Sequence, residues 1–427
     1  MRDDTLYLGA TKLNITPKKP VQLVGFASRS QADFIAKDSD IYARFFYFNH
    51  QNGADAEQQA LVISVDLLCW GNEFATRLRD RISKRWGIPQ SAVVLHATHN
   101  HSGPTTRKFV NMKDPDSDYI EFLQRQIMDG IDLAIANAEP VRIERGVGES
   151  AMAVNRRKAV NGNIVNASND KGPTDPELTV IKFLSDSGAT KAVWVHYTCH
   201  PVLTSANRLS SEYCGIAVEL LEQQLGGEAI VGFLQGCCGD INPSRGGAAH
   251  GYDVICELGR QLAEDVQKTL EDAMVPLKNA QLRCVRHTAK LPYRNIPTLG
   301  ELQNKQRLGT GLEKGWAAFL IQHPEEVETS ATLELTKIDF ADNLSLLFMN
   351  GEMVVSYGLF VKECSNGSTI PVAYTNGIIG YVTTAKQLEE GGYEPIDSVF
   401  YYGLPSPYDS QVESIVLNKI KETIRTH

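Results

Sequence analysis

The sequence predicts an α/β fold, a mixed β-sheet core with surrounding helices, from three observations. Apolar runs rich in β-branched residues alternate with amphipathic stretches of helical period. Ordinary turn and stop chemistry separates them, as at Gly87 and Pro89. No period of about 20 to 50 residues repeats, and no low-complexity linker cuts the 427 residues.

In order, ALVISVDLL (60–68) reads as a strand and NEFATRLRDRISKRWG as a helix. SAVVLHATHNH is a strand running out into a loop, the usual place for active-site residues in such folds. YIEFLQRQIMDGIDLAIANA is a second helix. TVIKFLS, KAVWVHYTC, AIVGFLQG, QLRCVRHTAKL, LELTKIDF and SLLFMNGEMVVS read as strands; GIAVELLEQQLG, VICELGRQLAEDVQKTLEDA and the terminal SIVLNKIKETIRTH read as helices. Residues 298–329 form a helical insertion, packed on the core or lining a groove with Trp316, Phe319 and Leu320.

A net charge of −9 and a moderate apolar fraction suit a soluble globular protein with a large core. The acidic balance and the lack of a basic stripe argue against nucleic acid as a partner. No run of about 18 apolar residues occurs, so no membrane span is expected. The eight cysteines lack a CxxC spacing, which favours a reducing, cytoplasmic setting. MRDDTLYLGATKLNITP shows no signal peptide; a leader removed ahead of it would imply a secreted or periplasmic protein.

Five segments carry side chains fit for chemistry. In THNHSGP, His99 and His101 stand two apart at a strand end, where an extended backbone points both to one face. HYTCHPVLTS brings His196, read as packed in the strand, and His200, held extended by Pro201. In FMNGEMVVS, Glu352 follows an apolar strand, so it needs a nearby cation or must lie exposed. GYVTTAKQLEEGGYEP supplies Tyr381 and Tyr393, by pattern only a turn and a helix with aromatic anchors. LQGCCGDINPSRGG exposes Asp240 and Asn242 on a glycine-rich loop whose order matches neither phosphate nor dinucleotide binding. Asp66 and Glu212 fit a structural or a ligand-steadying role equally well.

Taken together, GATKLNITP, GFASR, IYARFF, VISVDLL, ATHNHSGP, VNRR, CHPVLT, SSEYCG, GDINP, NGE and GYVTT resemble, in order and spacing, the catalytic domain of the neutral ceramidases. The resemblance implies that family's catalytic-domain fold and one bound zinc ion, held by His99, His200, Glu352 and Tyr381. It also implies that His101 acts on the substrate, and that Arg156 and Tyr393 contact the scissile group. Two imidazoles, a carboxylate and a phenol suit zinc, and other divalent ions as well.

This chain departs from the family in two places. GDINP has Asn242 where the family has serine, so the chemistry must rest on metal-activated water. The sequence also leaves no room after the GYVTT block for a C-terminal immunoglobulin-like domain. Since the presumed ligands span His99 to Tyr381, residues 1–427 read as one catalytic domain.

The activity expected is zinc-dependent hydrolysis of an amide bond in a small acylated substrate, with lipids among the candidates. Asn242 would orient the acyl oxygen or a substrate hydroxyl, and Asp240 would steady a ligand histidine. The alternatives are a zinc hydrolase of an N-acyl amino sugar, small lipid amide or ester, and a non-catalytic metal or ligand binder. Oligomeric state is not written in the sequence.

Overall fold

The computed structural model describes residues 4–29, 32–52, 58–245 and 251–426. At its centre lies the strand Tyr42–Asn52, in which the successive Phe45 and Phe46 are both fully buried. A strand buried on both faces needs cover on both sides. The helix Ser117–Ala136 supplies one side, and Gly130 lets it approach so closely that a Cβ there would lie 2.3 Å from the Phe45 ring. Trp194 packs edge-on against Phe46 and Phe48 at 5.3 Å on the other.

The main sheet is mixed. Its order runs from Ile230–Gln235 through Thr190–Tyr197, Glu177–Ser185, Glu139–Glu149, Asp4–Asn14, Tyr42–Asn52 and Gln58–Val65 to Val93–Ala97, with Val275–Pro276 added beside Glu139–Glu149. Both end strands pair in parallel with their neighbours and the rest are antiparallel.

This sheet curls until its two ends meet. Gln235 N donates to His96 Nε2 at 3.0 Å, and Ser64 Oγ donates to the Phe233 carbonyl at 2.9 Å. The segment 373–376 closes what gap remains: Ala373 N donates to the Gln235 carbonyl at 3.0 Å, and Asn376 N to the Leu95 carbonyl at 2.7 Å. The loops leaving Val93–Ala97 and Thr190–Tyr197 therefore emerge side by side, which explains how His99 and His200 come together.

A second, four-stranded sheet has the order Arg283–Pro292, Ser330–Ala341, Leu344–Met349, Thr369–Val372. Its third strand leads into Glu352–Met353, which pairs in parallel with Tyr381–Val382. SLLFMNGEMVVS is thus not one strand. A turn at Asn350–Gly351 breaks it, and Val355 opens the helix Val355–Cys364 despite two β-branched valines, because buried packing outweighs propensity.

The insertion holds two helices, Leu299–Leu308 and Gly311–Gln322. Trp316, Phe319 and Leu320 are buried with Val110 and Leu302 in a satellite core, and Trp316 Nε1 donates to the Leu404 carbonyl at 2.7 Å. They do not line a groove. No helix among the described residues is long and apolar enough to cross a membrane. Gly246 and Gly247, at the end of the glycine-rich loop, lie outside the described residues.

Candidate metal centre

His99 and His101 converge, though not by the pleat of a strand. The strand ends at Ala97, and His99 takes a left-handed backbone with φ of 65°, uncommon outside glycine. Asn100 N to the Leu67 carbonyl at 3.0 Å holds the turn. The His99 ring stacks on Tyr374 with centroids 4.0 Å apart.

Each of three imidazoles is anchored through Nδ1 to a main-chain carbonyl: His99 to Leu68 at 2.8 Å, His101 to Gly25 at 2.8 Å, His200 to Cys238 at 2.5 Å. A carbonyl only accepts, so each Nδ1 carries the proton and each Nε2 presents a lone pair. Those lone pairs point at one another: His99 Nε2 lies 3.1 Å from both His200 Nε2 and His101 Nε2. Glu352 Oε2 stands 3.2 Å from His99 Nε2 and 3.5 Å from His200 Nε2, with no hydrogen-bond donor of its own. Tyr402 donates its hydroxyl to the other oxygen, Oε1.

Such a cluster of buried acceptors is repulsive unless a cation sits among them. Zinc bonds of about 2.0–2.1 Å in a tetrahedron place ligand atoms about 3.3 Å apart, close to the spacings found. Burial, and then the neighbouring imidazoles, push the His101 pKa well below 6.5, and burial followed by Arg156 takes His200 down to about 4. The donor set therefore fits a divalent metal.

Tyr381 is the register partner of Glu352, so sheet pairing fixes it beside the carboxylate. Its hydroxyl oxygen accepts from Arg156 Nη2 at 3.0 Å. Arg156 also donates Nε to Glu394 at 2.8 Å and Nη1 to Asn242 Oδ1 at 3.2 Å, with the Tyr393 ring 5.7 Å away. Its nitrogens are spread over three partners, which locks the guanidinium.

The structure corrects Asp240. Its carboxylate accepts from Val355 N at 2.8 Å, Gln387 Nε2 at 2.9 Å and Asn155 Nδ2 at 3.3 Å, and steadies no histidine. The main-chain carbonyls do that instead. The main-chain carbonyl of Asp240 receives Arg156 N at 2.9 Å. His196 is packed as expected, with Nε2 on the Pro371 carbonyl at 2.7 Å. Asp66 is tied to Arg44 at 3.1 Å.

Glu212 is completely buried, accepts from Ser102 Oγ at 3.0 Å, and is pushed by burial from 4.5 up to about 8. Its folded form keeps a proton that the unfolded chain releases. Stability therefore falls as pH rises from 4.5 towards 8, by about 1.4 kcal/mol per pH unit. In Glu212→Gln this contribution disappears. Denaturant unfolding at about pH 5.5 and about pH 7.5 should then show a smaller pH difference in the variant than in the parent. An unchanged difference would mean that Glu212 is ionised when folded.

Tyr402, Tyr374 and Glu394 escaped the sequence reading. They sit in VFYYG, AYTNG and YEPID, where nothing in spacing distinguishes a phenol or carboxylate that serves the site from one that packs. The site opens into a cavity of about 750 Å³ that reaches His99, His101, Arg156, Glu352, Tyr381 and Tyr393.

Comparison with known proteins follows the same line. A family model described as neutral/alkaline non-lysosomal ceramidase, N-terminal, matches residues 6–313. The fold is similar to that of the neutral ceramidase from Pseudomonas aeruginosa, with 18% identity and a TM-score of 0.74 over 99% of this chain and 74% of that one. It is also similar to a ceramidase complexed with C2, with 17% identity and a TM-score of 0.74 over 99% of this chain and 75% of that one. No curated protein matched by sequence.

Proposed function

Because the chain belongs to the neutral/alkaline non-lysosomal ceramidase family, we propose that it is a single-domain zinc hydrolase that cleaves the N-acyl bond of a lipid-like amide. The family itself indicates a hydrolase of amide bonds. The observation that carries the metal reading is the meeting of three proton-free Nε2 atoms with a donorless Glu352 oxygen.

In this reading His99, His200, Glu352 and Tyr381 hold the ion. When bound, zinc supplies Lewis acidity that polarises an acyl oxygen and lowers the pKa of a water from 15.7 to about 7. The remaining residues do the rest. Arg156 and Tyr393, with Asn242 beside them, face the acyl oxygen as its charge develops. His101, proton-free at Nε2 and fixed by Gly25, takes a proton from the attacking water and delivers it to the amine nitrogen as the C–N bond breaks. The water oxygen joins the acyl carbon, leaving a free amine and a carboxylic acid, which releases the remaining proton to solvent as it ionises. No serine nucleophile is required, which accommodates Asn242.

The test is elemental analysis of the purified chain beside hydrolysis of a short-chain fluorogenic ceramide and a panel of N-acyl amines. About one zinc per chain, with amide turnover abolished by a chelator and restored by zinc, is expected. Turnover indifferent to chelation would overturn the metal mechanism.

A further inference from the structure

The cavity has two unlike walls. One is mostly apolar, made by Phe26, Phe109, Val110, Met112 and Leu312 with Asn111 among them. The other belongs to the three-stranded sheet Ile241–Pro243, Ala153–Val160, Asn163–Asn169 and its continuation, and presents the polar Asn166, Ser168, Asn242 and Ser244 with Val154, Ala167 and Pro243 among them.

A regular strand shows only alternate residues to one side, yet Asn166, Ala167 and Ser168 all line the cavity. The register explains it. Asn155 pairs with Asn169 but Arg157 pairs with Asn166, so Ala167 and Ser168 stand opposite the single Arg156 in a bulge. Bulges of this kind re-aim side chains beside active sites. Asn242 is oriented as well: its Oδ1 faces Arg156, and its Nδ2 points to Asn166 Oδ1 at 3.5 Å.

Charge is the second constraint. Besides the histidines and tyrosines, the ionisable side chains among the described lining residues are Arg29, Arg156 and Glu352. Arg29 donates to the carbonyls of Val24, His101, Thr204 and Ser205. Arg156 is committed to Glu394, Asn242 and Tyr381, and Glu352 faces the histidines. Arg29 and Glu352 are thus already compensated, and Arg156, which serves the acyl oxygen, is held by Glu394, so none is spared for a charged substituent on the amine arm, whereas the amides and hydroxyls suit neutral hydroxyl groups.

Building on the amide-hydrolase reading above, we infer that the substrate class is an uncharged N-acyl amine with one long aliphatic arm and one short, hydroxyl-bearing arm, as in N-acylated amino sugars. The aliphatic arm lies on the Phe109 wall, and Asn166, Ser168 and Asn242 read the hydroxyls. A second long chain would cover that polar wall and strip its amides and hydroxyls of partners, which a site built to hydrogen-bond penalises. A volume of about 750 Å³ lies in the range of pockets that enclose a ligand of this size.

The test compares N-octanoylglucosamine with N-octanoylsphingosine on the zinc-loaded full chain, by released amine and by calorimetric binding. The glucosamine amide should lead in kcat/KM by about tenfold or more, and Asn166→Leu should cut that ratio by about tenfold with zinc content unchanged. A lead for the two-chain amide, or a ratio indifferent to Asn166→Leu, overturns the inference. If neither amide is cleaved, tighter binding of N-octanoylglucosamine to the parent than to Asn166→Leu sustains the substrate class and overturns the hydrolytic reading. Equal binding to both overturns the substrate class itself.

Discussion

Replacing His101 with alanine is expected to leave about one zinc per chain while kcat falls about 10²- to 10⁴-fold, the usual worth of a positioned proton carrier. The prediction separates two uses of one geometry. His101 Nε2 is as near to His99 Nε2 as His200 Nε2 is, and the three rings form one group able to hold a metal. Their surroundings differ. His99 and His200 both approach Glu352, and both are essentially inaccessible, whereas His101 is partly exposed and meets the Phe26 ring edge-on at 5.4 Å. Zinc lost together with activity in His101→Ala would make it a ligand and would leave Tyr381 outside the coordination. Full activity would remove it from the chemistry altogether.

His99→Ala should lose metal and rate together. Lewis-acid stabilisation amounts to several kcal/mol, so the rate should fall about 10³-fold or more at 1.36 kcal/mol per tenfold. Alanine is strained at a φ of 65°, so His99→Asn, whose side chain tolerates left-handed backbone, serves as the companion variant. Zinc analysis and circular dichroism on both variants decide the matter. A folded His99→Asn that retains stoichiometric zinc and turnover would place the ion elsewhere.

Much of this molecule was legible in advance because its strands are apolar runs bounded by ordinary stops. The helix at Asn72–Trp86 ends on a left-handed Gly87, as the glycine suggests. Glu352 was readable as a carboxylate that needs a cation or must lie exposed, since it follows a buried strand, and the structure buries it with no donor on Oε2. Other features were not legible, for definite reasons. The convergence of His99 and His101 depends on a positive φ that no period encodes. Asp240 resembled a site residue because glycines flank it, yet its partners Val355 and Gln387 lie 115 and 147 residues away. Tyr402 reaches Glu352 across 50 residues, and only folding reveals it.

The joining of the main sheet's two ends bears on colloidal behaviour. Val93–Ala97 and Ile230–Gln235 would otherwise be outer strands with free amides and carbonyls, ready templates for pairing between molecules. Residues 373–376 occupy both at once, through Ala373 on Gln235 and Asn376 on Leu95, and the His96–Thr375 bridge lies between them. Any opening that withdraws this short segment bares two adhesive edges together and also removes Tyr374 from the His99 ring. Resistance to self-association and integrity of the metal centre are thus entrusted to the same four residues.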